Sequence, residues 1–501
     1  MERENSTFGF IEELKEPLIG KEENLEPLGR SSEDSSSGWV SQVIRAPTRK
    51  DFETEKNKSI SIDLVGERKE LIIHVDENLE PQSECCIYRV PRALRKKNKE
   101  AYTPTAISIG PLHHGKDKFA DMEKQKIRYI IEFDKRIRPE KWQQLVNFIE
   151  ENEKRIRNSY EENSKLEKPE FITMILYDAV FIIELFFRWC STKKSDDFLI
   201  DRACLANAVR LDLQLLENQL PFFVLDGLHK LASPYLDPEN DDRSFIALSC
   251  EFFRHCKAGE EINVKAEDIL HFTHLSRYFK TRKYPNRSPE PEEEKRDLPC
   301  AAKLRGSAVQ RDLPCAAKLQ GSGVQFKGII EEASLLDINF KERKWLGIPC
   351  LKVAELQIPR IEVDDCTESL MRNLMALEQC HYPQETIVCN YVDFMDTLID
   401  TDEDVNKLAE AGIISNSLGE SARIAKMFND LCLEITLDGS NYAGTTEKLK
   451  NHYVDSWNHA KATLKRTYFS NLWKGTGTVA ALLLLVFNLI QAIWSIISAF
   501  S

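Results

Sequence analysis

At 501 residues, with 42% hydrophobic and 30% charged side chains, the chain has the composition of a globular protein able to bury a sizeable core. A formal charge of −13 excludes the broad basic surface with which a nucleic-acid binder displaces counterions. Thirteen cysteines, irregularly spaced and without a Cys-x-x-Cys pair, fit reduced thiols better than a disulfide framework.

The opening "MERENSTFGFIEELKEPLIG" is too charged for the apolar core of a signal peptide, and Glu2 excludes N-myristoylation. Residues 1–82 read as a disordered N-terminal region: "GRSSEDSSSG" is low in complexity, and apolar residues are sparse. Within it Phe8, Ile11 and Leu14 share a helical face, as a short partner-binding element would require.

Periodic sequence begins near Cys85 and defines a helical core domain over residues 83–475. "YRVPRALRKKNKEAYTP" concentrates six basic residues, Arg89, Arg92, Arg95, Lys96, Lys97 and Lys99, in eleven positions. Pro91 suits a first helical turn, so a short helix is predicted to about Lys99. "TAISIGPLHHGKDKFADMEKQKIRYIIEF" then passes through a Gly-Pro loop into one long helix that continues past "KWQQLVNFIEENEKRI".

"FITMILYDAVFIIELFFRW" resembles a membrane span in hydropathy. Asp178 and Glu184 argue against one, since a carboxylate near a span's centre costs roughly 2.5–3.5 kcal/mol. A buried helix whose carboxylates meet partners or the surface is predicted instead. "LANAVRLDLQLLENQLPFFVLDGLHKL" predicts a helix stopped or kinked near Pro221 and followed by another, and "SFIALSCEFFRHC" and "AEDILHFTHLSRYF" add two more.

Residues 280–310 read as a flexible linker plus a duplicated insert. "RDLPCAAKLRGSAVQ" at 296–310 is repeated as "RDLPCAAKLQGSGVQ" at 311–325, differing only at Arg305/Gln320 and Ala308/Gly323. Two copies of fifteen residues are too few and too short for a solenoid. Only the second copy leads directly into "FKGIIEEASLLDINF", so it is expected to belong to the fold, with a helix from near Pro314 to Gly321. The first reads as a tolerated insertion, because doubling a loop's length adds only about 0.6 kcal/mol.

"SLLDINF", "GIPCLKV" and "ELQIPRIEV" predict a small antiparallel sheet. Asp365 is placed at the start of a helix, with Glu368 at capping-box distance and Leu370, Leu374 and Leu377 on one face. "YVDFMDTLID" is a further helix, and "TDEDVNKLAEAGII" another, capped by Thr401 and closed by Gly412. "ESARIAKMFNDLCLEI" and "NHYVDSWNHAKATLKRTYF" complete the body.

From Gly475 to Ser501 no residue is charged. Val479–Phe500 would span about 33 Å as a helix, enough for a bilayer's hydrocarbon core. Residues 476–501 therefore read as a transmembrane anchor inserted after translation. Lys461, Lys465, Arg466 and Lys474 precede it, so the positive-inside rule places the body in the cytoplasm. Asn488 and Gln491 are the polar members of the span and can bond to another helix. With that topology the sequons at Asn5, Asn57 and Asn286 are chance matches.

The fold class is thus mainly α: a helical globular body with a small antiparallel β element and one C-terminal transmembrane helix. Recognisable catalytic motifs are lacking. "GTGTVA" follows no strand and opens the apolar span, which removes it as a dinucleotide loop. His113 and His114 sit in a Gly-Pro context that suggests loop hydrogen bonding. His271 and His274 are spaced for a shared metal on a helix, but no third ligand is identifiable, so packing is the expectation. Asp393, Asp396 and Asp400 form an acidic stripe read as solvated. No cofactor or metal is implied. The basic cluster Arg89–Lys99 is the candidate contact patch, for an anion, an acidic lipid surface or an acidic partner.

Several of these segments match one known family. "RVPRALRKKNKEAYTPTAISIGPLHHG" with "MEKQK", then "YDAVFIIELFF" and "DLQLLENQLPFFVL", resemble the successive blocks of the plant family called domain of unknown function 247, or UPF0481. "IPRIEVDDCTESLMRNLMALEQC", "YVDFMDTLIDTDEDVNKLAEAGII" and the terminal apolar helix are similar to its second half. The family carries a single stretch like "AAKLQGSGVQFK", which supports reading the first copy as the insertion. The resemblance implies a plant, membrane-associated protein without established enzymatic activity. Members are linked to pollen–stigma self-incompatibility in grasses, which implies recognition or signalling. The leading expectation is a non-enzymatic interaction or signalling protein that meets lipid through its last helix and a protein partner through its body. The alternatives are an enzyme drawing on His113, His114 and nearby basic residues, and a membrane scaffold packing through Asn488 and Gln491.

Overall fold

The most apolar internal segment organises the first half of the body. In the computed structural model, Lys168–Cys190 (α4) is a helix buried on nearly every side, so the expectation of a core helix rather than a second span holds. The structure describes residues 83–191, 197–236, 243–255, 264–282, 313–329, 334–344, 352–437, 439–468 and 472–500. Residues 1–82, most of the linker and the first repeat copy lie outside these.

Before α4 come a short helix Arg92–Lys97 (α1) and the helices Ala120–Asp134 (α2) and Pro139–Asn158 (α3). The single long helix predicted here is two. Pro139, lacking an N–H, occupies the first turn of α3, and the Trp142 indole donates to Asp134 at 2.6 Å across the corner. After α4 follow Ala203–Asp212 (α5), Phe222–Leu236 (α6), Phe245–Phe252 (α7) and Phe272–Thr281 (α8). Helices α2, α3, α6 and α7 all pack on α4. Phe186 of α4 stacks on Phe252 at 4.3 Å between ring centres and lies close to Phe245 and Phe272, an aromatic centre shared by three helices.

The second half surrounds a mixed sheet. The second repeat copy forms the helix Ala316–Gly321 (α9), within the bounds predicted, and then strand Val324–Ile329 (β1). Leu313, Ala316, Leu319 and Val324 are buried in the same core as the sheet. Strands Asn339–Lys344 (β2) and Lys352–Pro359 (β3) pair antiparallel, as expected. The sheet as a whole is not antiparallel, because β1 lies parallel to β3 on its other edge. Ile361–Val363 (β4) and Ile414–Asn416 (β5) also pair in parallel. Gly328 of β1 presses against the turn at Gly412, where any side chain would collide with the Gly412 carbonyl.

Around the strands lie Thr367–His381 (α10), Ile387–Leu398 (α11), Asp402–Glu410 (α12), Ser421–Leu431 (α13) and Ala443–Val454 (α14). Thr401 caps α12, as expected, and Asp404 completes a capping box that was not anticipated. At α10 the expected roles shift by one residue. Asp364, not Asp365, holds the turn by accepting from Cys366 N at 3.0 Å and the Thr367 hydroxyl at 2.7 Å. Glu368 instead pairs with Arg372 at 2.8 Å. Helix Ser456–Tyr468 (α15) follows α14, and Leu472–Phe500 (α16) is the last element. Within α16, Thr476–Ser495 is long and apolar enough to cross a membrane, and none of it is buried against the body.

Candidate functional site

The family-like segments of the first half converge on one buried polar belt. Its floor is the connection between α5 and α6, residues 213–221, which is buried throughout yet not helical. Buried backbone groups must find partners, and the polar run in "DLQLLENQLPFF" supplies them. The Asp212 carboxylate accepts from three successive amides, Thr105 at 2.9 Å, Ala106 at 2.6 Å and Ile107 at 2.9 Å. Asn218 accepts from Ile109 N at 2.7 Å and donates to the Ile107 and Asp212 carbonyls. Gln219 donates to the Leu213 and Leu215 carbonyls and accepts from Phe272 N at 2.9 Å.

Glu217 stands at the centre. It accepts from Val90 N at 2.8 Å and pairs with Arg95, whose guanidinium lies over the Tyr102 ring. His113 Nε2 is 3.2 Å from its other oxygen, off the line of a good hydrogen bond. Lys116 Nζ lies 2.6 Å from His113 Nδ1. Burial lowers the His113 pKa, with Lys116 adding to the effect, so the ring is neutral and its Nδ1 lone pair receives the ammonium. Burial opposes ionisation of Glu217, but His113, Arg95 and the Val90 amide outweigh it and hold the carboxylate below the ordinary glutamate range. Lys116 is lowered by burial and by neighbouring Lys118 and Arg89. The result is a locked chain of ammonium, neutral imidazole, carboxylate and guanidinium.

The predicted basic patch is therefore divided by the fold. Arg89 makes a two-pronged pair with Glu162 at 2.6 and 2.7 Å, Arg95 turns inward to Glu217, and Lys97 approaches Glu434 at 3.5 Å. Arg92, Lys96 and Lys99 remain exposed around α1. His114, the neighbour of His113 in sequence, is half-buried but does not join the Glu217 chain. Sequence reasoning missed Glu217, Asp212 and Lys116. The available signal was an unbroken Glu-Asn-Gln run inside an apolar segment, too polar for a helix buried there.

A second ionic centre lies under the Gly-Pro loop. Lys126 of α2 is buried and donates to Asp178 of α4 at 2.6 Å, to Glu123 at 2.7 Å and to the Ser108 carbonyl at 2.6 Å. Asp178 also accepts from Gly110 N at 2.8 Å. Burial works against the Lys126 charge, but Asp178 and Glu123 overcome it and raise the pKa. Glu184, the other carboxylate of α4, pairs with Arg136 and with Arg188 at 2.6 Å.

The remaining candidates are likewise engaged. His271 caps α8, taking the His274 amide on Nδ1 and lying 3.0 Å from the Cys86 carbonyl through Nε2. His274 accepts from Leu270 N at 3.1 Å and meets Tyr382 Oη at 3.1 Å. Among the described residues, no group of three His, Cys, Asp or Glu side chains is placed to hold a metal ion. The acidic stripe is not one solvated helical face: Asp400 lies beyond the end of α11, and Asp396 is half-buried with its pKa raised to about 6, by burial first and then by Asp393 and Asp400. With its amide turned to suit its neighbours, Asn429 donates to Asp396 at 2.6 Å. A cavity of about 210 Å³ beside α10 and α13 carries Asp364, Asp365, Glu368, Arg423, Lys426 and Asp430, whose opposite charges pair across it. At the far end, Asn488 and Gln491 sit exposed on one side of α16, while the Lys474 side chain lies outside the described residues.

The chain is 26% identical over 442 residues to the UPF0481 protein At3g47200 of Arabidopsis thaliana, covering 83% of this chain and 87% of that one. It is 22% identical over 511 residues to the Arabidopsis UPF0481 protein At3g02645, covering 87% and 95%. No solved structure matches. The family profile DUF247, described as a plant protein of unknown function, matches residues 87–487, a range that holds the Glu217 belt, the Lys126 centre, the sheet and the start of the apolar helix, and the chain belongs to that family.

Proposed function

We propose that this protein is a membrane-tethered interaction or signalling protein without catalytic activity, its body on the cytoplasmic side. The observation that carries the tether is α16: twenty residues, Thr476–Ser495, apolar and uncovered by the body. Leaving such a surface in water is costly at roughly 25 cal/mol per Å², whereas lipid accepts it. The cations Lys461, Lys465, Arg466 and Lys474 precede the span, which favours a cytoplasmic body.

The non-catalytic reading rests on how the chemically capable groups are used. Glu217, His113 and Lys116 close on one another, Asp212 and Asn218 bind backbone, and Lys126 and Asp178 neutralise each other in the core. Exposed Arg92, Lys96 and Lys99 remain for an acidic surface on a protein partner.

Carbonate washing of plant membranes tests the tether. The full chain should stay in the pellet, and a chain lacking residues 472–501 should move to the supernatant; release of the full chain would refute the reading. Protease added outside sealed cells should spare the body. Proximity labelling with the Arg92→Glu/Lys96→Glu/Lys99→Glu variant should lose acidic partners seen with the unaltered chain, and an unchanged set would remove the patch from the function.

A further inference from the structure

Helix α15 joins the body to α16 and has two unlike sides. Its body-facing side is fixed by contacts: Ala462 abuts Gly323 at the end of the second repeat copy, and His459 Nε2 lies 2.8 Å from the Tyr453 carbonyl. Its opposite side carries Trp457, 64% exposed, and Leu464, 54% exposed. Seven residues apart, they differ by only about 20° around the helix axis. Val454, 70% exposed, adds to them from the end of α14. An exposed tryptophan and leucine in register are unusual on a surface facing only water.

Charge points to what meets this side. After Asp455, whose carboxylate accepts from Trp457 N at 3.0 Å and so caps α15, the sequence contains no acidic residue. Ser456 to Gly475 instead holds Lys461, Lys465, Arg466 and Lys474, within a chain whose overall charge is −13. Position fixes the rest. Residues 469–471 alone separate α15 from α16, so the two helix ends lie within about 14 Å of each other.

We propose that α15 is an interfacial helix, lying on the bilayer that α16 enters, with Trp457, Leu464 and Val454 at the boundary between headgroups and acyl chains. Lysines of the segment meet anionic phospholipid headgroups. The inference rests on reading α16 as a membrane span. Each Lys or Arg held near an anionic surface strengthens association roughly fivefold, and tryptophan favours the headgroup level. The body would then be docked on the membrane in one orientation rather than swinging from a tether.

The test uses the full chain reconstituted in vesicles of phosphatidylcholine alone or with one third phosphatidylserine. The difference spectrum between the unaltered chain and Trp457→Phe isolates this indole, and Trp494→Phe isolates one inside α16. With phosphatidylserine present, the Trp457 component should be blue-shifted and quenched by lipid brominated near the headgroup end of its chains. In pure phosphatidylcholine that quenching should fall at least twofold. A Trp457 component with water-like emission and no quenching, while Trp494 is quenched by deeply brominated lipid, overturns the proposal and leaves the span intact. Absence of quenching at both positions overturns the span and the proposal together. Equal Trp457 quenching in the two lipids overturns the anionic headgroup assignment.

Discussion

Replacing Lys126 with methionine tests whether the ionic centre beneath the Gly-Pro loop holds the first half together. The side chain is 1% exposed and serves three acceptors: the Asp178 and Glu123 carboxylates and the Ser108 carbonyl. Methionine fills a similar volume, so the loss is electrostatic rather than a cavity. It leaves Asp178, 2% exposed, with the Gly110 amide donating at 2.8 Å but no cation beside it, and a buried charge stranded this way costs about 3–5 kcal/mol. Against a total stability of about 5–15 kcal/mol, that is a large fraction. Asp178→Leu should cost about as much by stranding the lysine, although Glu123 softens the loss. The double variant Lys126→Met/Asp178→Leu removes both charges, and its cost should fall at least about 2 kcal/mol below the sum of the singles. Glu123→Gln, at a partner 39% exposed, should cost under about 1 kcal/mol. Urea unfolding of the full chain in detergent, followed by circular dichroism, measures all four. Additivity within about 0.5 kcal/mol, or a Lys126→Met cost under about 1 kcal/mol, would refute the account of a clamped charge pair.

Gly328→Ala should destabilise by about 3 kcal/mol, because the new methyl meets the Gly412 backbone, while Gly444→Ala, in open space on α14, should be neutral or gain up to about 1 kcal/mol; thermal melts compare them. Gly323→Ala should cost about 1–3 kcal/mol, since Gly323 has φ +94°, whereas Ala308→Gly at the matching position of the first copy should leave the melting temperature unchanged. Asp396 has a folded-state pKa of about 6, above the ordinary 3.8, so the native state binds the extra proton between those values. Its contribution is therefore greatest below about pH 4 and is lost as pH rises through 6. Asp396→Asn should be more stable than the unaltered chain at pH 8, on the order of 1 kcal/mol after solvent screening, with the gain gone at pH 4 by urea unfolding.

What the sequence disclosed and what it hid follow from the range of the forces involved. The nature of α4 was legible because two carboxylates inside an apolar run make a lipid environment costly, a penalty that needs no knowledge of partners. The Thr401 cap of α12 was legible because capping is a local matter, settled within three residues of the helix start. The break between α2 and α3 was written in Pro139, although helical periodicity on both sides masked it. Strand direction was not legible: β1 reaches β3 across an intervening strand, and alternation of side chains looks the same in parallel and antiparallel pairs. The polar belt was hidden for a related reason. Asp212, Glu217, Asn218 and Gln219 satisfy amides and carbonyls up to 127 residues away, and the local Glu-Asn-Gln run, though out of place in an apolar segment, does not name those distant partners.

The repeat shows how the fold selects between two nearly identical segments. Leu313, Ala316 and Leu319 have exact counterparts in Leu298, Ala301 and Leu304, so the buried helix alone cannot decide which copy occupies the site. The choice is made downstream. Docking the first copy would shift the register by fifteen residues, placing Arg311 where Phe326 packs on the core and Leu313 where Gly328 meets the Gly412 carbonyl. It would also put Ala308 at the position where Gly323 takes φ +94° against Ala462 of α15. A charge against the core, a branched side chain inside a backbone contact and a strained alanine all oppose that register, and none opposes the other. The second copy is therefore held by the strand that follows it, and the glycine at its end leaves room for α15, the helix that leads to the apolar α16.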